Sequence, residues 1–389
     1  MFYSAADFKY DKMSVIANIS TAVPENKYKQ SDLAEFMCDL FQYPGQQKRK
    51  LKLMYAKSGI DTRYSVIPDF SSAINERQFF PKTNNFEPFP TVDYRMQYFN
   101  KTALPLCIKA IKDCIKGKIK KQQITHLITV SCTGLSAPGL DIDIVQQLKL
   151  NSTINRTSIN FMGCYAAIHA LKQADYICKS EPDAVVVIIC VELCTIHFQK
   201  ADTPDNNTAN LLFADGAAAS LIVSDTYASK NKLNGFAIKK FHSQISLNGK
   251  NDMAWQLTST GFLMTLSSYI PQLIEKGFKT FFEKAIQQLK IKKESITHWA
   301  IHPGGRKILE VIQKELALKN NDLESSCRVL KHFGNMSSPT VLFVLKDILN
   351  LTSNSTPKER GTAKDKNEIT FCSAFGPGLT MESVILENV

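Results

Sequence analysis

The chain has 389 residues, with 47 Lys and Arg against 36 Asp and Glu for a net charge of +11; 44% of residues are hydrophobic and 21% charged. That composition excludes wholesale disorder, and the length predicts one large domain or two fused similar halves. No run approaches the ~20 apolar residues that span a bilayer, the start MFYSAADFKYDKM lacks the apolar core of a secretory signal, and ten cysteines without paired metal-type spacing fit a reduced compartment, so a cytoplasmic protein is expected.

In chain order, the first dozen residues are expected to be loose. The basic run Lys48-Arg49-Lys50, with Lys52 and Lys57, suits an anionic partner. Two readings stand open for it: a solvated helix face, or a clamp for the phosphates of a CoA-type ligand. No nucleic-acid module surrounds it, and nucleic acid is not expected as a partner. Beyond it, short β-rich apolar runs alternate with longer amphipathic segments, the pattern of an α/β protein with covered sheets. Strands are predicted at 125–131, 184–192, 217–224, 297–302, 368–374 and 381–387. Helices are predicted at 102–116, 140–149, 164–178, 270–289, 305–318 and 337–350. A division near 225–235 gives two halves, 1–228 and 229–389, and the polar stretch 351–367 reads as a surface loop.

Four segments carry chemistry. In SINFMGCYAAIHA (158–170), β-type residues run into Gly163 and then an Ala-rich helical stretch, which puts Cys164 at a helix start, where the dipole and free N–H groups favour a thiolate. The alternative is a small buried thiol. In THWAIHPGGR (297–306) an apolar strand delivers His302 into a Pro-Gly-Gly turn, placed either to project into a cavity or to be a satisfied core histidine. His298, four residues earlier, shares its strand face, but no third ligand candidate is near for zinc, and no metal is expected. In HFGNMSSPTV (332–341), Asn335 is a helix cap or an amide donor for an oxyanion. CSAFGPGLTME (372–382) places a Gly-Pro-Gly turn between two closing strands.

GCYAA, HPGG, FGN and FGPGLT in this order resemble the type III polyketide synthases, the chalcone synthase group, and the similarity runs from TAVPENKYKQ at 21–30 through LFADGAAA to FGPGLTME. The resemblance implies a five-layer αβαβα thiolase-like fold in two similar halves, usually a homodimer, and an acyltransferase that uses CoA thioesters as substrates with no further cofactor. It implies Cys164 as acyl-accepting nucleophile, His302 as its imidazole partner and Asn335 as the third member of the triad. Lys50 and Lys57 match positions that contact CoA phosphates, while a third basic position of that set is Leu53 here. Phe213 matches an aromatic between the CoA tunnel and the reaction cavity. Met264 stands where chalcone synthase has an aromatic gatekeeper, and Cys132, Cys194, His197, Ser337 and Phe375 are matched to the cavity wall. VELCTIHFQ and GFLMTLSSYIP are more similar to microbial members, which implies a starter acyl-CoA with an aliphatic chain, extended by malonyl-CoA to an alkylpyrone or alkylresorcinol, over a chalcone. Ketoacyl-carrier-protein synthase III, which shares the fold and the triad types, is the alternative.

Overall fold

A computed structural model describes residues 13–267, 269–354 and 368–389. Its strands are β1 Ser14–Ala22, β2 Asn26–Lys29, β3 Thr62–Ser65, β4 His126–Ser131, β5 Asn155–Asn160, β6 Val185–Leu193, β7 Asp215–Ser224, β8 Phe236–Ile245, β9 Met253–Thr258, β10 Gly261–Leu266, β11 Ile296–Ile301, β12 Ile369–Gly376 and β13 Thr380–Asn388. Its helices are α1 Gln30–Phe41, α2 Gly45–Ala56, α3 Val92–Ile115, α4 Leu140–Leu148, α5 Ala166–Ser180, α6 Pro204–Leu212, α7 Asp225–Asn231, α8 Ile270–Gln287, α9 Arg306–Glu315, α10 Glu324–Phe333 and α11 Thr340–Asn354. None of the described helices is long and apolar enough to cross a membrane.

Nine strands form one sheet in the order β11-β12-β13-β8-β1-β7-β6-β4-β5. It consists of two half-sheets joined where β1 meets β8 over three residue pairs, Ser14 with Ile238, Val15 with Ala237 and Ile16 with Phe236. The halves repeat one pattern. In the first, β4 and β6 are parallel, and β6, β7 and β1 follow antiparallel. In the second, β11 and β12 are parallel, and β12, β13 and β8 follow antiparallel. Helices α5 and α11 touch strands of both halves, so they form a shared central layer, while α3 covers the outer face of β1, β6 and β7 and α8 that of β8 and β13. The result is an αβαβα stack.

Burial on both faces explains the composition of β6. Val186, Ile188 and Cys190 pack into the central-layer core, whereas Val185, Val187, Ile189 and Val191 pack into the outer core with α3, so the strand is a continuous apolar run rather than an alternating one. The Ala-rich face of α5 (Ala166, Ala167, Ala170, Ala174), fully buried, lets that helix sit close to its neighbouring layers.

Every predicted strand and helix is present, with shifted ends. The helix expected from Ser337 starts at Thr340, because Ser337 is held at φ 58°. It runs to Asn354, so the first four residues of the expected loop 351–367 are helical; the rest of that stretch and the N-terminal dozen lie outside the described residues. The central strand β1 went unpredicted because it carries polar residues that are satisfied internally: Ser14 Oγ donates to Asp175 (2.7 Å), Asn18 Nδ2 donates to the Cys114 carbonyl (2.7 Å), and Ser20 Oγ donates to the Ala110 carbonyl.

Candidate active site

Cys164 is delivered by the turn between edge strand β5 and helix α5. Gly163 has φ 78°, and a Cβ there would lie 2.2 Å from Pro377 Cδ, so the turn tolerates no side chain. Pro377 belongs to the Gly-Pro-Gly segment, and a Cβ on Gly376 would come within 3.1 Å of the Cys164 nitrogen. That segment is therefore more than a hairpin turn: it is the surface on which the cysteine turn is moulded. Cys132 Sγ accepts the Gly163 N–H at 3.0 Å and braces the same turn from the end of β4. Cys164 lies in a single 3₁₀ turn, Gly163–Tyr165, that precedes the α-helix predicted from residue 164.

The Cys164 thiol is buried, with a 3.5 Å hydrogen bond from Sγ to Ser337 Oγ. Burial pushes its pKa up to about 12, opposed by hydrogen bonds from Ser337 and Asn335 and reinforced by the carboxyl of Glu192. Burial thus favours the thiol over the thiolate.

His302 follows the last residue of β11, its N–H bonded to the Ser373 carbonyl of β12 (2.8 Å) and its carbonyl accepting from Gly304 N–H (2.9 Å). The ring meets Phe375 edge-on at 5.8 Å. Neither ring nitrogen has a hydrogen-bond partner among the described residues, Cys164 included, and burial lowers the imidazole pKa to about 3. His298 is not part of this site; its ring lies 3.6 Å from Glu368.

Asn335 is set by Gly334, whose φ of 70° and close approach to the Arg63 stem (2.9 Å) exclude a side chain. Its backbone makes a parallel bridge beside Phe213, donating to the Leu212 carbonyl and accepting from Ala214 N–H, both at 2.9 Å. The amide is oriented at both ends: Oδ1 accepts Ser337 N–H (2.8 Å) and Nδ2 donates to the Gly304 carbonyl of the His302 turn (3.3 Å). Its N–H₂ group therefore faces the histidine turn rather than capping α11.

Cys164, His302 and Asn335 line one cavity of about 500 Å³, together with Lys57, Cys132, Cys194, Phe213, Met264, Ser337 and Phe375. Behind it, Cys194, Phe213, Trp255 and Met264 also line a smaller chamber of about 50 Å³, whose walls include His197. His197 has a structural task there: Nε2–H donates to the Thr133 carbonyl (2.8 Å), Nδ1 accepts Phe262 N–H (3.1 Å), and the ring stacks on Phe262 at 4.2 Å. Lys50 does not line the cavity. It lies seven residues before Lys57, roughly 10 Å along the α2 axis, on an exposed face.

Several site residues were missed in the sequence. Glu192, the penultimate residue of β6, is fully buried and accepts from Cys132 N–H (2.9 Å), Thr133 Oγ1 (2.8 Å), Ser338 Oγ (2.7 Å) and, more weakly, Ser131 Oγ (3.5 Å), and burial raises its pKa to about 7. Its signal was a lone acid closing the apolar run AVVVIICVE. Trp255, on β9 opposite Met264, donates from Nε1 to the Cys132 carbonyl at 2.7 Å. Arg306 and Lys307, directly after HPGG, line the cavity as well.

Comparison with known proteins agrees with this geometry. The profile of the chalcone and stilbene synthases, N-terminal domain, matches residues 5–226, and that of their C-terminal domain matches residues 238–389. The chain belongs to the chalcone and stilbene synthase family, whose members are acyltransferases. It is 29% identical over 378 residues to the alpha-pyrone synthesis polyketide synthase-like Pks18 of Mycobacterium tuberculosis, covering 97% of this chain and 92% of that protein. It is 29% identical over 383 residues to a putative chalcone synthase of Bacillus subtilis, covering 96% of this chain and 98% of the other. The crystal structure of PKS-I from the brown alga Ectocarpus siliculosus superposes with a TM-score of 0.88 at 28% identity, over 98% of this chain and all of that one. The fold is thiolase-like.

Proposed function

We propose that this type III polyketide synthase loads an aliphatic acyl group from an acyl-CoA onto Cys164, extends it with malonyl-CoA, and cyclises the chain to an alkylpyrone or alkylresorcinol. The observation that carries this reading is the convergence of a buried thiol, an imidazole with both nitrogens unpartnered and a doubly oriented amide on one cavity.

In the resting cavity burial favours neutral Cys164 and neutral His302. On loading, the thiol proton passes to His302 and the thiolate attacks the starter thioester; the CoA sulfur leaves and takes that proton. Malonyl-CoA then offers its thioester carbonyl to His302 and to Asn335 Nδ2, which stabilise the enolate formed as CO2 departs. The enolate carbon attacks the Cys164 thioester, and the extended chain continues to grow or cyclises. No metal and no cofactor beyond the CoA thioesters enters this scheme. Met264, a flexible thioether between the cavity and the smaller chamber, leaves adaptable room for an alkyl chain.

The two halves, 1–228 and 229–389, supply Cys164 and the His302–Asn335 pair respectively. A second copy of the chain is proposed to cover the free edge of β5, beside which Leu135 and Phe161 are exposed by 44% and 37%.

The test is mass spectrometry of products after incubation of the protein, and of Cys164→Ala, with malonyl-CoA and an acyl-CoA series from acetyl to stearoyl. Cys164-dependent pyrones or resorcinols from the longer acyl chains are expected. Hydroxycinnamoyl-CoA proving by far the best starter would overturn the aliphatic assignment.

A further inference from the structure

On α2, two of the lysines are already ion-paired and Lys50 lies outside the cavity lining. Lys48 and Lys52 are both paired with Glu35, Lys48 also lies 4.0 Å from Asp39, and Leu53 puts an apolar side chain, 53% exposed, on the same helix. Of that stretch only Lys57, just past the end of α2, reaches the cavity lining as a cation, and it makes no ion pair among the described residues.

The opposite rim is built by the first turn of α9, where Arg306 and Lys307 line the same cavity. The stem of Arg306 packs across the mouth onto Gly59: a Cβ on that glycine would lie 3.3 Å from Arg306 Cβ and Cδ. Arg306 Nε donates to Glu310 (2.7 Å), while its two terminal amino groups take no recorded partner among the described residues. That contact is an ion pair between two exposed side chains, which leaves the terminal amino groups of Arg306 free to turn to an anion; Lys307 makes no ion pair among the described residues. Asp205 is the acid in the lining and Glu310 the one paired with Arg306, so Lys57, Arg306 and Lys307 still leave net positive charge among the exposed residues of the cavity, while its buried residues are largely apolar and include Cys164.

We infer that Arg306 and Lys307, with Lys57 facing them, hold the phosphate of the incoming phosphopantetheine thioester, so that the phosphate clamp of this chain sits on α9 rather than on α2. The ligand class follows from the shape: an anion at the mouth, joined by a long uncharged arm to a thioester at Cys164. A forked guanidinium and a mobile ammonium suit a phosphate diester or diphosphate. This inference rests on reading the site as one that takes acyl thioesters.

The experiment compares the wild-type chain, Arg306→Gln/Lys307→Gln and Lys118→Gln, a variant of an exposed lysine remote from the cavity. Each is assayed for malonyl decarboxylation and product formation with malonyl thioesters of CoA, 3′-dephospho-CoA, a phosphopantetheinylated carrier protein and N-acetylcysteamine, which has no phosphate. The double variant is expected to raise KM at least about tenfold for phosphate-bearing thioesters with kcat unchanged within about twofold, and to leave kcat/KM for the N-acetylcysteamine thioester untouched. Lys118→Gln is expected to change neither. A loss confined to the CoA thioesters, or one confined to the carrier-borne thioester, supports the clamp and identifies the source of the phosphate. A KM shift below twofold for every phosphate-bearing thioester, or an equal loss with N-acetylcysteamine, would overturn it. If the wild-type chain makes no Cys164-dependent product from any of these thioesters, it is the condensing-enzyme reading that fails instead.

Discussion

Helices α5 and α11 share the central layer, and each is preceded by a glycine in the left-handed region and then by a candidate catalytic side chain: Gly163 and Cys164 in one half, Gly334 and Asn335 in the other. The two turns are secured differently. The cysteine turn is held mainly by shape, with the Pro377 ring filling the space over Gly163 and Cys132 Sγ accepting the Gly163 N–H, and the thiol itself makes a long hydrogen bond of 3.5 Å to Ser337. The asparagine turn is held by hydrogen bonds, two in the backbone bridge to residues 212–214 and one at each end of the amide. A nucleophile that must take up and give up an acyl group is lightly tethered, whereas a donor that must meet each enolate in one direction is fixed.

The sharpest way to separate the two turns is to delete each side chain. Cys164→Ala is expected to abolish acyl-enzyme formation and lower product formation by about 10⁴-fold or more, measured by intact mass and by product quantification. Wild-type levels of adduct in that variant would move the nucleophile elsewhere, with Cys132 and Cys194 the nearest thiols on the cavity wall. Asn335→Ala is expected to slow malonyl-CoA decarboxylation by roughly 10²–10³-fold, as for the loss of one oxyanion donor, while acylation of Cys164 stays within a few fold. Equal losses in both half-reactions would mean that the asparagine acts on the fold and not on the enolate.

The glycines test the same contrast as stability. An L-residue at either φ costs about 1–2 kcal/mol, and overpacking adds about 1–3 kcal/mol. Gly163→Ala meets a rigid proline ring at 2.2 Å, whereas Gly334→Ala meets the stem of Arg63 at 2.9 Å and the Leu212 carbonyl at 3.0 Å, a smaller overlap. Urea denaturation should therefore find Gly163→Ala the less stable of the two, by about 1–2 kcal/mol. The reverse order would show that the hydrogen-bonded turn is the stiffer one.

How much of this was legible in the sequence follows from the same physics. Strands buried on both faces, such as β6, announce themselves as unbroken apolar runs, and the triad segments were visible because glycine and proline punctuate them. What escaped was whatever depends on long-range pairing. Strand β1 hid its central place behind Asn18, Ser14 and Ser20, whose partners lie between 90 and 161 residues away. The bridge between Phe213 and Asn335, the bracing of Gly163 by Cys132 and the contribution of Arg306 and Lys307 to the mouth have no local signature. Lys50 was assigned from a matched position and lies outside the cavity lining, about 10 Å before Lys57 along α2.

Glu192 offers the subtlest test, because its buried carboxyl opposes the two buried imidazoles. His302 and His197 have pKa values lowered to about 3, so below pH 6.5 the unfolded chain binds protons that these folded residues refuse, and stability falls as pH drops. Glu192 has its pKa raised to about 7, so between about pH 4.5 and 7 the folded chain keeps a proton that the unfolded chain releases, and this contribution is fully present below 4.5 and is lost as pH rises. Asp215, raised to about 6, acts in the same sense as Glu192. In Glu192→Gln the compensation from one carboxyl disappears while every other titrating group is shared with the wild type. The stability of the variant relative to the wild type is therefore expected to rise by about 1.4 kcal/mol per pH unit across that window, and to level off above pH 7. Denaturant titrations of both proteins at half-unit steps from pH 4.5 to 8 measure that difference directly. A difference that stays flat with pH would mean that Glu192 is ionised in the folded protein throughout, with its four hydrogen bonds outweighing its burial.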